Sequence, residues 1–216
     1  MLKKLITIFI FSLLSLPTVA KEVESTINLY GNVFTYGIPP WIDPNAADFK
    51  EEDLLKKSKY FKDQKGPSFI IEAIPVDQEF DSWTTIFAIK ALNLGQAVPI
   101  SRWEDQTLNT FRQTCGDVSI EYLDTGSTAS LVQIICPKVL GYTQDGYNDG
   151  VGEIALFAFY ISGTTLISHY IEWRGKAFHP LDKAAWPVDD NMLSKQISAL
   201  KKTTVISKKG IIKFAD

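Results

Sequence analysis

Histidine, cysteine and long apolar runs are scarce in this chain of 216 residues, and each scarcity removes a class of function. With only His169 and His179, no three-histidine zinc site can be assembled, and the side chain most used for proton transfer near neutral pH is almost missing. No HExxH, paired CxxC, GxxxxGK[ST], strand-borne GxGxxG or GxSxG pattern occurs. That argues against zinc peptidases, redox dithiols, phosphate-loop enzymes, dinucleotide enzymes and α/β-hydrolases, and no cofactor or metal is expected. The net charge is −3, from 22 basic and 25 acidic residues, which offers no field to attract phosphate backbones, so nucleic acid is not expected as a partner. The lysines clustered at 56–65 and 201–209 are interleaved with acids or sit near a chain end, and read as solvated faces.

What is present starts with a leader. Lys3 and Lys4 precede the apolar run Leu5 to Leu16, and Pro17-Thr18-Val19-Ala20 supplies small residues for cleavage, so residues 1–20 read as a secretory signal peptide. The run is too short for a hydrocarbon core that takes about 20 residues, and no later segment is long and apolar enough, so no stable membrane insertion is expected after cleavage. The expected location is periplasmic or secreted. In such an oxidising compartment the even pair Cys115 and Cys136 reads as one disulfide, whose closed loop is worth about 3 kcal/mol in the chain-entropy model. A redox or nucleophilic cysteine would want a CxxC spacing or a nearby basic partner, and the sequence displays neither.

No repeat or long linker divides residues 21–216, which are read as a single α+β domain: a mainly antiparallel sheet of about five to seven strands with about three helices on one face. Val23 to Thr35 reads as an edge strand, and Asn45 to Phe61 as a surface helix stopped by Gly66-Pro67. Ser68 to Val76 and Trp83 to Leu92 read as a hairpin with a polar loop. Ser101 with Glu104 reads as a capping box opening a helix over Arg102 to Thr114, with Trp103, Leu108, Phe111 and Cys115 on its core side. Val118 to Leu123 pairs with Ala129 to Cys136. Glu153 to Ser162 is apolar on both faces, as a central strand is, and turns at Gly163 into Thr165 to Arg174. Asp189 and Asp190 precede a helix over Met192 to Lys202, and a short strand is expected around Ile211.

Candidate functional residues are few. His169 shares a strand face with Ile167, Ile171 and Trp173 and reads first as a core histidine; in a hydrolase reading it would pair with a strand carboxylate such as Glu153 or Glu121 as a general acid/base. The loop Asp145 to Gly150 resembles a calcium loop only superficially, because the twelfth position, which needs a bidentate acid, is Leu156. Aromatics outside regular elements, Trp41, Tyr147 and Trp186, are the candidate binding surface for an unidentified protein or small molecule.

The polar loop leading to Asp81-Ser82-Trp83-Thr84, the Cys115 and Cys136 pair, Gly152-Glu153, the Gly163 turn, Tyr170 and Trp173-Arg174 together resemble a loose family of small exported proteins of Gram-negative bacteria, some similar to type II secretion substrates. The resemblance spans about Ser68 to Arg174 and implies an α+β fold and export, with no catalytic residues to carry over. The expected function is an exported, non-enzymatic binding protein. The alternatives are a small secreted hydrolase and an accessory protein of an envelope or secretion complex.

Overall fold

The computed structural model describes residues 24–43, 46, 49–50, 52–142, 144, 147 and 149–214. The leader assigned to Met1–Ala20, and several positions of the 145–150 loop, lie outside the described residues.

The polypeptide opens as a tight hairpin, β1 (Glu24–Leu29) and β2 (Asn32–Gly37), where a single edge strand was expected. Tyr30 and Gly31 form a two-residue loop with φ of 55° and 84°, the left-handed backbone that matches the twist of an antiparallel pair. Asn28 accepts a hydrogen bond from the Gly31 amide at 3.0 Å and steadies the turn.

Of the helix expected over Asn45 to Phe61 the described residues hold one turn, α1 (Asp53–Lys56), followed by β3 (Ser58–Lys65); several positions of the 45–51 stretch lie outside the described residues. Tyr60 and Phe61 favour a strand, and pairing with β4 (Ser68–Pro75) through Gly66, at φ 55°, overrides the helical spacing of the apolar residues. Lys59, Lys62 and Lys65 then stud the outer strand of the sheet, where charge discourages pairing with another chain.

β4 pairs with β5 (Thr85–Asn93), and after α2 (Ile100–Thr114) come β6 (Ser119–Thr125), β7 (Ala129–Cys136), β8 (Val151–Ser162) and β9 (Thr165–Lys176). These strands form one antiparallel seven-stranded sheet in the order β3-β4-β5-β9-β8-β7-β6. A register shift between Tyr122 and Asp124 blunts the β6 edge. Cys115 and Cys136 are disulfide-bonded with Cα atoms 5.5 Å apart, tying the end of α2 to the end of β7 as expected.

After β9, α3 (Asp190–Lys202), β10 (Thr204–Ser207) and β11 (Gly210–Ile212) complete the chain. β10 pairs with β2 as well as β11, so both ends of the chain build a second, four-stranded sheet in the order β1-β2-β10-β11. Two sheets are present rather than one.

The helices also divide, instead of sharing one face. α3 and the small sheet press Leu193, Leu200, Phe34 and Val205 onto one face of the large sheet, against Ile89, Leu131, Leu156 and Ile171. α2 lays Ile100, Leu108 and Phe111 on the opposite face, over Val132, Ala155, Phe157 and Phe159. Because β8 is covered from both sides, nearly every one of its residues is buried.

The α2 N-terminus differs from the expected capping box. Pro99 occupies the cap with no side-chain bond, and the helix begins at Ile100, whose side chain is needed in the core. Glu104 is therefore turned inward, where its buried carboxylate accepts a hydrogen bond from the buried Ser130 hydroxyl. At α3 the expectation holds: the Asp189 carboxylate accepts from the Met192 amide at 2.7 Å, and Lys201 and Lys202 lie in the last turn.

Candidate functional site

α2 reaches only the β8 side of its face of the large sheet. Over the other half, on β3, β4, β5 and β9, lies an open groove of about 470 Å³. Side-chain alternation decides what it contains. On β9 the residues Ile167, His169, Ile171 and Trp173 point toward the small sheet, so Tyr170, Glu172 and Arg174 point toward the α2 side. Cross-strand pairing brings Glu72 of β4 and Lys90 of β5 to the same face.

The groove floor is a chain of charged and aromatic contacts. The Tyr170 hydroxyl donates to Glu72 at 3.2 Å, while the Lys90 ammonium sits 3.9 Å from Glu72 and 5.0 Å from the Tyr170 ring centre. Burial first, and the neighbouring Glu172 and Glu72 carboxylates next, push the Tyr170 phenol well up, so it remains a donor. Further along β9 from Tyr170, Arg174 is held by Glu153, its direct cross-strand neighbour on β8. The guanidinium also lies 3.6 Å from the Trp83 ring centre and 5.2 Å from that of Tyr142.

Glu172 sits between these two clusters, flanked by Ile86 on β5 and Ala155 on β8. Among the described residues no hydrogen bond or ion pair reaches its carboxyl. Burial is the main reason that its pKa is raised, to about 8; Glu153 raises it further, whereas Arg174 and Lys90 pull it down.

Two loops build the walls. In the β4–β5 loop, the Gln78 carboxamide grips Thr84, accepting from its amide and donating to its hydroxyl, both at 2.8 Å. The loop between β7 and β8 is tied to it, because Gln144 donates to the Ser82 carbonyl at 2.9 Å. Phe80 on the first loop and Phe61 on β3 meet edge to face with ring centres 6.3 Å apart, and both remain more than a third exposed. They form an apolar rim beside the charged floor.

The residues singled out from the sequence lie elsewhere, apart from Glu153. Trp41 is half-buried, with its indole N–H donating to the Ser58 hydroxyl at 3.0 Å; Trp186 is likewise half-buried and donates to the Pro180 carbonyl at 3.2 Å. Both pack on the main core. Tyr147 is half-buried in an isolated bridge with Gln144.

His169 and Glu153 are not brought together. Glu153 faces the α2 side with Arg174, while His169 is buried under the small sheet, ringed by Phe34, Tyr36 and Phe87. Its Nδ1 is 3.4 Å from the Thr203 hydroxyl, its Nε2 has no hydrogen-bond partner among the described residues, and burial lowers its pKa to about 3. A neutral, sealed imidazole on the opposite face of the sheet cannot exchange protons with Glu153. Glu121 is exposed on the outer strand β6, paired with Gln133, far across the sheet order from β9. Among the described residues no group of three or more His, Cys, Asp or Glu side chains is arranged to hold a metal ion.

Sequence reasoning missed Glu72, Lys90 and Glu172. The available signal was a lone charge in each of the otherwise apolar β4 and β5 segments, and on β9 Glu172 two residues from Arg174, which period-two alternation sends to one face.

No protein-family model matches the chain, and no curated protein is significantly similar to it.

Proposed function

We propose that the protein is an exported binding protein whose ligand site is the groove over β3, β4, β5 and β9. The observation that carries this reading is the uncovered half of the large sheet. The central strands are covered on both faces by α2, α3 and the small sheet, whereas here a concave surface joins exposed Phe61 and Phe80 to converging charged groups. A concave site with apolar walls and a few placed polar groups is the usual form of a small-ligand or side-chain pocket. Export is supported by the leader read in residues 1–20 and by the disulfide. Among the described residues, no helix is long and apolar enough to cross a membrane.

The groove is preferred to the surface expected at Trp41, Tyr147 and Trp186, where both indole N–H groups already donate within the protein. A screen of small aromatic and aliphatic fragments by amide chemical-shift mapping tests the reading. Shifts confined to β4, β5, β9 and the 77–84 loop are expected. Scattered shifts, or fragments gathering only around Trp41 and Trp186, would refute it.

A further inference from the structure

Deepening that binding reading, we infer that the groove recognises an ammonium group carried on an apolar body, with Glu172 as the anchoring carboxylate and Phe61 and Phe80 contacting the body.

Counting charge around Glu172 leads there. Glu72, Glu153 and Glu172 are set against only two cations, Lys90 and Arg174, and all four neighbours act electrostatically on Glu172. Both cations act on Glu172 only from a distance, because each already has a carboxylate partner of its own. Arg174 is committed to Glu153 and to the face of Trp83, and Lys90 to Glu72 and the ring of Tyr170. With Glu172 ionised, the floor lacks one positive charge. A carboxylate flanked by Ile86 and Ala155 and left without a partner is costly, which is why it holds its proton to about pH 8. A ligand cation supplies the missing charge and displaces that proton to solvent. An anion would meet Glu72 and, once ionised, Glu172 in the groove lining, and a neutral ligand would leave the imbalance unchanged.

The rim fixes the rest of the ligand. Phe61 and Phe80 stand at the groove mouth with open ring surface, whereas the rings of Trp83 and Tyr170 already carry cations. The apolar body therefore lies toward β3 and the 77–84 loop while the ammonium points at β9.

Calorimetric titration of the whole protein with phenylpropylamine, phenylpropanol and phenylpropionate tests this. The amine should bind at least tenfold more tightly than the alcohol, and the anion should not bind. Amine affinity should rise at least several-fold between about pH 6 and pH 8, with up to one proton released per amine bound, seen as a heat that varies with the buffer's ionisation enthalpy. Glu172→Gln should remove both the amine preference and the proton release while leaving the circular-dichroism spectrum and the residual alcohol binding unchanged. Phe61→Ala with Phe80→Ala should weaken amine and alcohol alike. An acetylated Phe-Lys amide against its norleucine counterpart separates a lysine side chain from a free small amine as the source of the ammonium.

Equal binding of amine and alcohol, or amine binding unaffected by Glu172→Gln, would overturn the inference while leaving the groove as a binding site. Failure of every probe to shift groove amides would overturn both readings.

Discussion

A His169→Leu substitution removes a histidine sealed between the two sheets. In the folded protein the imidazole is neutral, with its pKa depressed to about 3 by burial, against 6.5 for an unburied histidine. It faces Phe34, Tyr36, Phe87 and Thr203, and among the described residues no charged group acts on it to stabilise a proton. The unfolded chain takes up a proton below 6.5, whereas the folded chain does so only near 3. Stability contributed by the neutral imidazole is therefore complete above pH 6.5 and drains away as the pH falls through that window. At about 1.4 kcal/mol per unit the full span is worth about 5 kcal/mol, and the loss by pH 4.5 is about 3 kcal/mol. Against a typical total of 5–15 kcal/mol for a folded domain, this one group sets much of the acid sensitivity. Urea unfolding of wild type and variant at matched pH values measures it. The variant lacks the Thr203 contact at every pH, but its deficit should shrink, and then reverse, by about 1.4 kcal/mol per unit below pH 6.5. Carboxylates elsewhere act on both proteins and cancel in the difference. His169→Gln should behave the same way and guards against a poor fit of leucine. Parallel stability curves for wild type and both variants would refute a sealed, uncharged imidazole.

Glu172 acts with the opposite sign: its folded pKa is raised, so the stability tied to the protonated form is present below the unfolded value of 4.5 and is lost as the pH rises towards 8. Glu172→Gln should thus gain on wild type above pH 4.5, by about 2 kcal/mol at pH 8 once solvent access to this half-buried group is allowed for, as read from denaturant midpoints. Between about pH 4.5 and 6.5 the two groups oppose each other, and Glu172 offsets part of the acid loss set by His169. Replacing Cys115 and Cys136 together by serine should remove about 3 kcal/mol, visible as a drop in Tm, and in the native protein both thiols should resist alkylation until a reductant is added. Leu108→Ala, at a fully buried position of α2, should cost about 3 kcal/mol without touching amine binding, because α2 lies over the other half of the sheet.

Much of the large sheet could be read directly. β4, β5, β7, β8 and β9 declare themselves because each is a long run of β-formers closed by a turn residue, and Gly163, at φ 62°, marks the sharpest reversal. The helix α3 was legible from Asp189 at one end and Lys201 and Lys202 at the other. The small sheet was not, since β2 and β10 lie at opposite ends of the chain and no local pattern encodes that pairing. The helical spacing around Leu54, Leu55 and Phe61 misled for a related reason: whether Tyr60 and Phe61 join a strand depends on β4 being present to pair with them. Placing the helices on separate faces also needed the structure, because α2 and α3 are both amphipathic and each would suit either side. The site was hidden by the same limit. Glu72, Lys90 and Glu172 are three unremarkable charges more than 15 residues apart, and only the order β4-β5-β9 makes them neighbours. The loop aromatics drew notice because they were conspicuous, yet Trp41 and Trp186 hold the chain to itself.

The titration of Glu172 itself tests most directly whether an uncompensated carboxyl lies on the groove floor. Carbon-13 chemical shifts of the glutamate carboxyls, followed with pH and assigned by comparison with Glu172→Gln, should show one group titrating near 8 and moving down towards the ordinary carboxylate range when phenylpropylamine is added. A Glu172 carboxyl that titrates near 4.5 with or without the amine would contradict the account.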